Sequence, residues 1–269
     1  MPIVRVEDPD DPRLAAYRNV PDHTLLTEQG LFVAEGRLVV RRLIEAPRLA
    51  TRSVMVTDTA LVPLRDLLDT REGLPVYLVP QVVMNGISGF NLHRGSLALG
   101  ERPRPCQWQE IVRNARRVVA LERVGNADNV GSVFRSAAAF GVDGVLLEPS
   151  CTDPLYRKAI RTSMGAALSM PFAVAEPWPD VLHQLGRDGW VVLAMTPSTR
   201  ARPLPEIVPE IADRQVVVVM GHEGDGVSAE ALEACTHHAR IPITAAVDSL
   251  NVAVATAIVL YTLTARDFA

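Results

Sequence analysis

Four continuous apolar runs in the second half of the chain constrain its fold more than any other feature of the sequence. They are Val118–Leu121, Val145–Leu147, Trp190–Ala194 and Val216–Met220. Strands buried on both faces of a parallel sheet read as such uninterrupted runs, whereas half-exposed strands alternate apolar and polar residues. Helix-like stretches lie between and after the runs, at 130–140, 179–187, 228–235 and 250–266. The pattern therefore predicts an α/β domain built on a parallel sheet.

The first half repeats the alternation more weakly and predicts a second, smaller α/β domain. Its expected strands are Leu31–Ala34, Ser53–Val56 and Val76–Val79, and its expected helices are Arg37–Glu45 and Leu61–Leu68. Pro103 and Pro105 lie in a polar stretch that has the composition of a linker. We therefore expect two domains, 1–104 and 105–269.

Composition excludes several classes of protein. With 269 residues, 48% of them hydrophobic, the chain is neither a disulfide scaffold nor a disordered polyelectrolyte. A net charge of −4 argues against binding nucleic acid through bulk charge alone. Lys158 is the single lysine among 27 basic residues. Arginine suits forked contacts to phosphate, although a genomic bias would produce the same excess.

The cysteines and the apolar segments indicate a compartment. Cys106, Cys151 and Cys235 are odd in number, far apart and form no CxxC pair, which favours reduced thiols. The first residues lack the layout of a signal peptide, and the longest apolar run, 250–263, is too short to span a bilayer. We expect a cytoplasmic protein with no membrane partner.

The first stretch that could carry chemistry is 126–136, which follows a strand and opens a helix. One face of this helix is expected to be apolar and to pack in the core, through Val130, Val133, Phe134, Ala137 and Ala138. Taken alone, Asn129 is explained as a helix N-cap and Arg135 as a solvated charge on the opposite face. Gly125 and Gly131 do not fit GxGxxG, which disfavours dinucleotide binding.

The second stretch is 219–228, where three glycines follow a buried strand within six residues. Such a backbone either turns tightly or lets a ligand approach closely. Glu223 stands at its tip and is, on the simplest interpretation, a solvent-facing acid. His222 and Glu223 do not form an HExxH motif, and the adjacent His237 and His238 would diverge. The sequence therefore predicts no metal site.

Two further stretches are polar or basic. Asp248 or Ser249 is the ordinary candidate to cap the long apolar helix that follows, whereas Asn251 requires a partner for its amide if it is buried. Arg157, Lys158 and Arg161 form a local basic cluster. This cluster is either a solvated helix face or a phosphate contact.

In order and spacing, these stretches resemble the three motifs of the SpoU/TrmH branch of the SPOUT methyltransferases. The motifs are Asn129 with Arg135, then Met220-Gly-His-Glu-Gly-Asp-Gly226, then Ile241-Pro242 with Ser249-Leu-Asn-Val252. The resemblance spans about 118–266. Phe32-Val-Ala-Glu-Gly36 is similar to the start of the L30e-like RNA-binding domain of many members.

The resemblance implies a C-terminal sheet domain with a trefoil knot, a homodimer, and methylation of a ribose 2′-hydroxyl in structured tRNA or rRNA. It implies S-adenosylmethionine as the cofactor, bound in a bent form by the loops near the knot. Cofactor contacts are then expected at Thr196, Met220, Gly221, His222, Gly226, Ile241 and Leu250. The glycines would then serve cofactor binding as well as the turn, because adenosine needs close approach to the backbone.

The resemblance also assigns catalytic and RNA-binding residues. The catalytic set is Arg135, Asn129, Glu223, Ser249 and Asn251. A guanidinium is very hard to deprotonate, so we expect Arg135 to stabilise the developing alkoxide and orient a phosphate, and we leave the base open. Asn129 would hold the nucleotide. The expected RNA-binding residues are Arg37, Arg41, Arg42, Arg157, Lys158 and Arg161.

Two other functions compete with this one. An RNA-binding protein that keeps the fold without activity is the main alternative, and the joint presence of the five catalytic residues argues against it. A dehydrogenase-type nucleotide binder is disfavoured by the missing glycine fingerprint. The sequence selects neither the RNA nor the nucleotide, nor does it indicate whether the methylation confers antibiotic resistance.

Overall fold

The structure is a computed structural model that describes residues 3–18, 20–88 and 95–268. It divides into two compact units. The first consists of Met1–Arg104 and Pro154–Ser169, and the second of Pro105–Asp153 and Met170–Ala269. The first boundary lies in the proline-containing stretch that was expected to be a linker. The sequence predicts two continuous domains. In the structure, the segment 154–169 belongs to the first unit, although it lies within the predicted second domain.

The strands lie in both units and are numbered along the chain. They are β1 (Ile3–Arg5), β2 (Leu31–Glu35), β3 (Thr51–Val56), β4 (Val76–Leu78), β5 (Ser96–Glu101), β6 (Arg117–Leu121), β7 (Gly144–Leu147), β8 (Phe172–Val174), β9 (Val191–Met195), β10 (Arg202–Pro203), β11 (Val216–Met220) and β12 (His237–Arg240).

The α-helices are numbered in the same way. They are α1 (Asp22–Glu28), α2 (Arg37–Glu45), α3 (Asp58–Leu61), α4 (Arg65–Asp69), α5 (Gln81–Ser88), α6 (Trp108–Val112), α7 (Ala127–Ala139), α8 (Arg157–Thr162), α9 (Asp180–Arg187), α10 (Leu204–Ile211), α11 (Ala229–Ala234) and α12 (Val252–Thr264). Short 3₁₀ helices cover Pro12–Tyr17, Val62–Leu64, Ala166–Leu168 and Ala265–Phe268.

The second unit is built on a seven-stranded parallel sheet, which confirms the expected fold class. Its strand order is β10-β12-β9-β11-β6-β7-β8. Every residue of β6, β7, β9 and β11, the four strands predicted from apolar runs, is buried. The strands β8, β10 and β12 are not predicted by the sequence pattern. The first two have only three and two residues, and β12 carries two histidines and an arginine.

The first unit has a five-stranded mixed sheet in the order β1-β4-β3-β5-β2. β5 runs antiparallel to β2 and β3, and the other neighbours are parallel. The predicted strands and the helix 37–45 are present. The continuous helix predicted over 61–68 is wrong, because a 3₁₀ turn separates α3 from α4. Pro63 lies in that turn, and a proline removes a helical hydrogen bond and clashes with the preceding turn.

The segment 154–169 is fastened within the first unit by a buried carboxylate at the end of β2. Glu35, whose side chain is 8% exposed, accepts a hydrogen bond from Nε of Arg157 at 2.8 Å and faces Arg161 at 3.6 Å. A guanidinium nitrogen of Arg42, on α2, donates to the carbonyl of Met164 at 2.7 Å. The helix α8 therefore packs against β2.

The helices α7 and α12 pack against each other in the second unit. Ala138, expected on the core face of α7, is exposed. The stretch 250–266 predicts a helix that is apolar nearly all round and is buried either in a core or in a subunit interface. One side is buried, through Val252, Val259 and Leu260, whereas Val254 and Ile258 are exposed on another side.

The three cysteines are free thiols. Burial raises the pKa of Cys151 and of Cys235 to about 12, so both stay protonated at neutral pH. No helix in the part of the chain that the structure describes has the length and apolar character needed to cross a membrane.

Candidate active site

Adjacent strands bring the predicted cofactor-binding residues to one edge of the parallel sheet. β12, β9, β11 and β6 are neighbours, and their carboxyl ends lie at the same edge. Met220 ends β11, while Thr196 and Ile241 directly follow β9 and β12. The backbone N–H of Thr196 donates to the carbonyl of Ala239 at 2.9 Å, which ties two of these ends together. Ligands of open parallel sheets bind in the crevice outside this edge.

The glycine loop, residues 221–226, folds back on itself after β11. The backbone groups of His222 and Gly226 exchange hydrogen bonds of 3.1 and 3.0 Å, and Gly226 has φ +71°. A Cβ atom at Gly221 would lie 2.2 Å from the carbonyl carbon of Gly226 and from the nitrogen of Val227. Only a residue without a side chain fits this position, so the first glycine is required by the loop itself.

His222 holds the tip of the glycine loop. Its Nδ1 accepts from the backbone N–H groups of Gly224 at 3.0 Å and Asp225 at 3.2 Å. An acceptor at Nδ1 puts the proton of the neutral imidazole on Nε2. Among the residues with described positions, no group of three or more His, Cys, Asp or Glu could hold a metal ion. Through its two hydrogen bonds to the backbone, His222 stabilises the fold of the glycine loop.

Three of the five predicted catalytic residues form a chain of side-chain hydrogen bonds. Nδ2 of Asn251 donates to Oδ1 of Asn129 at 3.0 Å, and Nδ2 of Asn129 donates to Oε1 of Glu223. The three residues belong to the start of α12, the first turn of α7 and the glycine loop. We call this chain the asparagine relay. It joins the first turn of α7 to two segments that follow it by more than ninety residues in sequence.

The helix caps near the two asparagines differ from those that the sequence predicts. The N-cap of α7 is Asn126, whose Oδ1 accepts from the backbone of Asp128, and not Asn129. The N-cap of α12 is Asn251, and not Asp248 or Ser249, because its Oδ1 accepts from the backbone of Ala253 and Val254. Asn251 is exposed, so it is not the buried amide that was considered.

Arg135 and Ser249 lie outside this chain of contacts. Arg135 is exposed on α7, two turns beyond Asn129, and Ser249 is exposed in the loop before α12. Within the described residues, the structure gives neither side chain a hydrogen bond or an ion pair. A guanidinium without an internal partner is available to a ligand.

All six predicted RNA-binding residues belong to the first unit. Arg37, Arg42, Lys158 and Arg161 are exposed, whereas Arg157 is largely buried against Glu35. Arg41 pairs with Asp66 at 2.8 Å and Glu45 at 3.4 Å. The hydrogen bond from Arg41 lowers the pKa of Asp66. Arg161 also lies 3.6 Å from Glu35, so at least three of the six cations take part in internal ion pairs.

Two residues beside the site, Glu122 and Arg123, belong to none of the predicted motifs. Glu122 follows β6 as a buried acid inside an apolar stretch, which is the one signal that the sequence offers. Arg123 has φ +55°, a conformation that costs a non-glycine residue free energy, and its backbone N–H donates to Oε2 of Glu148 at 3.1 Å. One guanidinium nitrogen of Arg123 lies 3.9 Å from Asp225 of the glycine loop.

Comparison with protein families identifies the family to which a chain with this site belongs. The model of the SpoU rRNA Methylase family matches residues 116–261, which include the asparagine relay and the glycine loop. The chain belongs to the SpoU rRNA methylase family. It is thus an rRNA/tRNA methyltransferase, and the expected family membership is confirmed.

Individual SpoU relatives extend the match to nearly the whole chain. An uncharacterised tRNA/rRNA methyltransferase of Mycobacterium tuberculosis is 41% identical over 260 residues, 94% of this chain and 89% of the relative. The 23S rRNA (guanosine(2553)-2′-O)-methyltransferase RlmP of Bacillus subtilis is 25% identical, covering 96% and 98%. A crystal structure of an AdoMet-bound rRNA methyltransferase from Sinorhizobium meliloti superposes with a TM-score of 0.84 at 25% identity, covering 98% of each chain.

The first prediction concerns Gly221. Gly221→Ala would force Cβ against backbone atoms 2.2 Å away, so we expect it to lower the melting temperature and to abolish methyl transfer. Gly224→Ala is the matched control, because its Cβ would lie 3.4 Å from the His222 ring and meets no backbone. Thermal unfolding and activity of both variants give the measurement. If both variants keep the melting temperature and activity of the wild type, the close packing at Gly221 is not required by the loop.

The second prediction separates the two contacts of Asn251. Asn251→Ala removes the N-cap of α12 and the hydrogen bond to Asn129, so we expect a loss of about 1 kcal/mol in unfolding free energy and a loss of activity. Asn251→Asp keeps the capping oxygen but removes the donor to Asn129. It should retain the stability and lose the activity, as measured by urea unfolding and methyl transfer. Wild-type turnover in Asn251→Asp would exclude the asparagine relay from catalysis.

Proposed function

We propose that this SpoU methyltransferase transfers the methyl group of S-adenosylmethionine to a ribose 2′-hydroxyl of ribosomal or transfer RNA. The observation that carries the proposal is the asparagine relay, which joins Asn129 and Asn251 to Glu223 of the glycine loop. The 2′-O specificity named for the Bacillus subtilis relative and the AdoMet bound to the Sinorhizobium meliloti enzyme support it.

The residues at the sheet edge fit the chemistry of this cofactor. An adenosine needs apolar contact on its faces and backbone hydrogen bonds at its edges. Ile241 and Leu250 are half-buried apolar side chains in the loop that follows β12, and Met220 is buried below the glycine loop. Thr196 and Gly221 would offer backbone groups. When bound, S-adenosylmethionine supplies an electrophilic methyl group on a sulfonium cation.

The protein's own residues would then orient the nucleophile. A ribose hydroxyl is a weak nucleophile that must lose its proton as it attacks, so the negative charge on its oxygen needs stabilisation. A guanidinium offers five N–H donors in a fixed planar geometry, which suits Arg135 to that charge and to a neighbouring phosphate. Asn129 would hold the nucleotide, since Glu223 and Asn251 fix the orientation of its amide. Ser249 would complete the wall of the site.

The first unit would bind the RNA target as an L30e-like domain. Arg37, Arg42, Lys158 and Arg161 are exposed cations of this unit and would contact phosphates. Arg41 and Arg157 would contribute only after leaving Asp66 and Glu35, which costs free energy. The local arginine surface would give modest affinity for random RNA, and the shape of the target would give selectivity.

A third prediction tests the function and Arg135 together. We expect the wild type to bind S-adenosylmethionine and not NAD in calorimetric titrations, and to methylate RNA from cells that lack the gene. Arg135→Ala should reduce turnover by about 100-fold, because it removes transition-state stabilisation, while the cofactor Kd and the melting temperature stay unchanged. Arg113→Ala is the matched control, since Arg113 is exposed in the same unit and precedes β6 at its amino end.

The possible outcomes separate the competing functions. NAD binding without S-adenosylmethionine binding would exclude the methyltransferase. Tight RNA binding without any transfer by the wild type would favour the inactive RNA-binding protein. Near-wild-type turnover of Arg135→Ala would remove only the assignment of that residue.

The same proposal includes a homodimer formed through α12. Val254, Ile258 and Tyr261 are 50%, 37% and 61% exposed and follow one another at spacings of four and three, so they form one apolar stripe. The ring of Phe140 packs edge-on against Tyr261, with centroids 6.1 Å apart, and extends the stripe. Contiguous exposed apolar surface of this kind favours association. The stripe starts one turn after Asn251, so a second copy would lie beside the site.

A fourth prediction tests this interface. Ile258→Asp places a charge in the middle of the stripe, so we expect it to convert a dimer into a monomer in sedimentation velocity experiments. Val82→Asp is the control, because Val82 is 76% exposed on α5 in the other unit. A wild type that is monomeric at every concentration, or equal behaviour of both variants, would contradict the proposed interface.

A further inference from the structure

Glu122 is a buried carboxylate at the sheet edge to which the proposed mechanism gives no role. It directly follows β6, and the residue is 2% exposed. Its backbone N–H donates to the carbonyl of Met220 at 2.9 Å, so it continues the pairing of β6 with β11 up to the start of the glycine loop. Burying a carboxylate is costly unless hydrogen bonds replace its water.

Three donors replace that water. Oε1 accepts from the indole Nε1 of Trp178 at 2.9 Å and from the hydroxyl of Ser228 at 2.6 Å. Oε2 accepts from the backbone N–H of Ser228 at 2.8 Å. Two of the three donors therefore come from one residue, and that residue lies just beyond the glycine loop.

Ser228 connects the glycine loop to α11. Its hydroxyl caps this helix by accepting from the backbone N–H of Ala231 at 3.2 Å. The preceding residue, Val227, is 8% exposed and belongs to the core of the unit. Glu122 thus fixes the point at which the chain leaves the glycine loop.

The close packing inside the loop carries this constraint to its first residue. Atoms of Gly226 and Val227 would lie 2.2 Å from a Cβ at Gly221, so the two ends of the loop touch without free space. A shift of Ser228 moves Val227 and Gly226 and therefore displaces the backbone of Gly221. Interiors packed at this density transmit such displacements.

We propose that Glu122 is a positioning residue for cofactor binding, which acts through Ser228 to set the backbone of Gly221 and Gly226. The inference rests on the proposed function, because it concerns the site of S-adenosylmethionine. Glu122 itself does not touch the cofactor. The bond to Ser228 carries the effect, whereas the bond to Trp178 secures a different segment and leaves the loop unaffected.

Three variants test this division by calorimetric titration with S-adenosylmethionine and by thermal unfolding. Glu122→Gln keeps the volume of the side chain, but its amide NH₂ group would face at least one of the three N–H and O–H donors that now bind the carboxylate. The Kd for S-adenosylmethionine should therefore rise about tenfold. Ser228→Ala removes the hydroxyl donor to Oε1 and should raise the Kd severalfold. Trp178→Phe removes the other donor to the same oxygen and should leave the Kd within about twofold, although it lowers the melting temperature comparably.

The double variant Glu122→Gln/Ser228→Ala provides the coupling. Glu122→Gln leaves the Ser228 cap of α11 in place, and Ser228→Ala leaves the Glu122 carboxylate in place. A rise in Kd that both variants show is therefore due to the hydrogen bond between Glu122 and Ser228. We expect the double variant to bind no more weakly than Glu122→Gln, because both changes break the same contact.

Each result has a definite meaning. If Glu122→Gln does not fold, the comparison of Ser228→Ala with Trp178→Phe still decides, since each removes one hydrogen bond to Oε1. An equal rise of Kd in those two variants, or an unchanged Kd in Ser228→Ala, overturns the inference while the proposed function stands. A wild type that does not bind S-adenosylmethionine overturns both.

Discussion

The second unit is built on a parallel sheet that is buried on both faces. Polar side chains that could carry chemistry therefore lie mainly at the edge where the strands end. Within β6, β9 and β11 every side chain is buried, so charged and amide groups gather in the loops that follow them. Hydrogen bonds of the ladder fix those loops relative to one another. The asparagine relay and the glycine loop depend on this register, because their residues come from distant parts of the chain.

The sequence predicted those parts of the fold in which one local signal dominates. The apolar runs identified four strands because double burial leaves almost no polar positions in them, with Arg117 at the start of β6 as the exception. The same rule could not find β12, in which His237 and His238 interrupt the pattern, nor the two-residue β10. Pro63 was visible in the sequence, yet the apolar spacing around it favoured one continuous helix. The trefoil knot and the L30e-like character of the first unit stay predictions.

Candidate site residues were predictable as a set but not as a geometry. The motifs contained Asn129, Glu223 and Asn251, but which asparagine caps which helix depends on backbone angles that residue types do not determine. Glu122 and Glu35 were missed, since a single acid at the end of an apolar strand resembles a surface residue until its partners fold around it. Likewise, a count of arginines cannot separate those paired internally, such as Arg41, from those left for a ligand.

The return of residues 154–169 to the first unit has a consequence for synthesis on the ribosome. Glu35 is made 122 residues before Arg157, its buried partner. At about 10 residues per second, roughly six seconds separate the synthesis of β5, which completes the sheet of the first unit, from the synthesis of Arg157. A buried carboxylate without its partner is strongly destabilising, so co-translational folding of this unit is delayed until the first segment of the second unit, Pro105–Asp153, has also been made. A fragment cut at residue 104 would carry the same defect permanently.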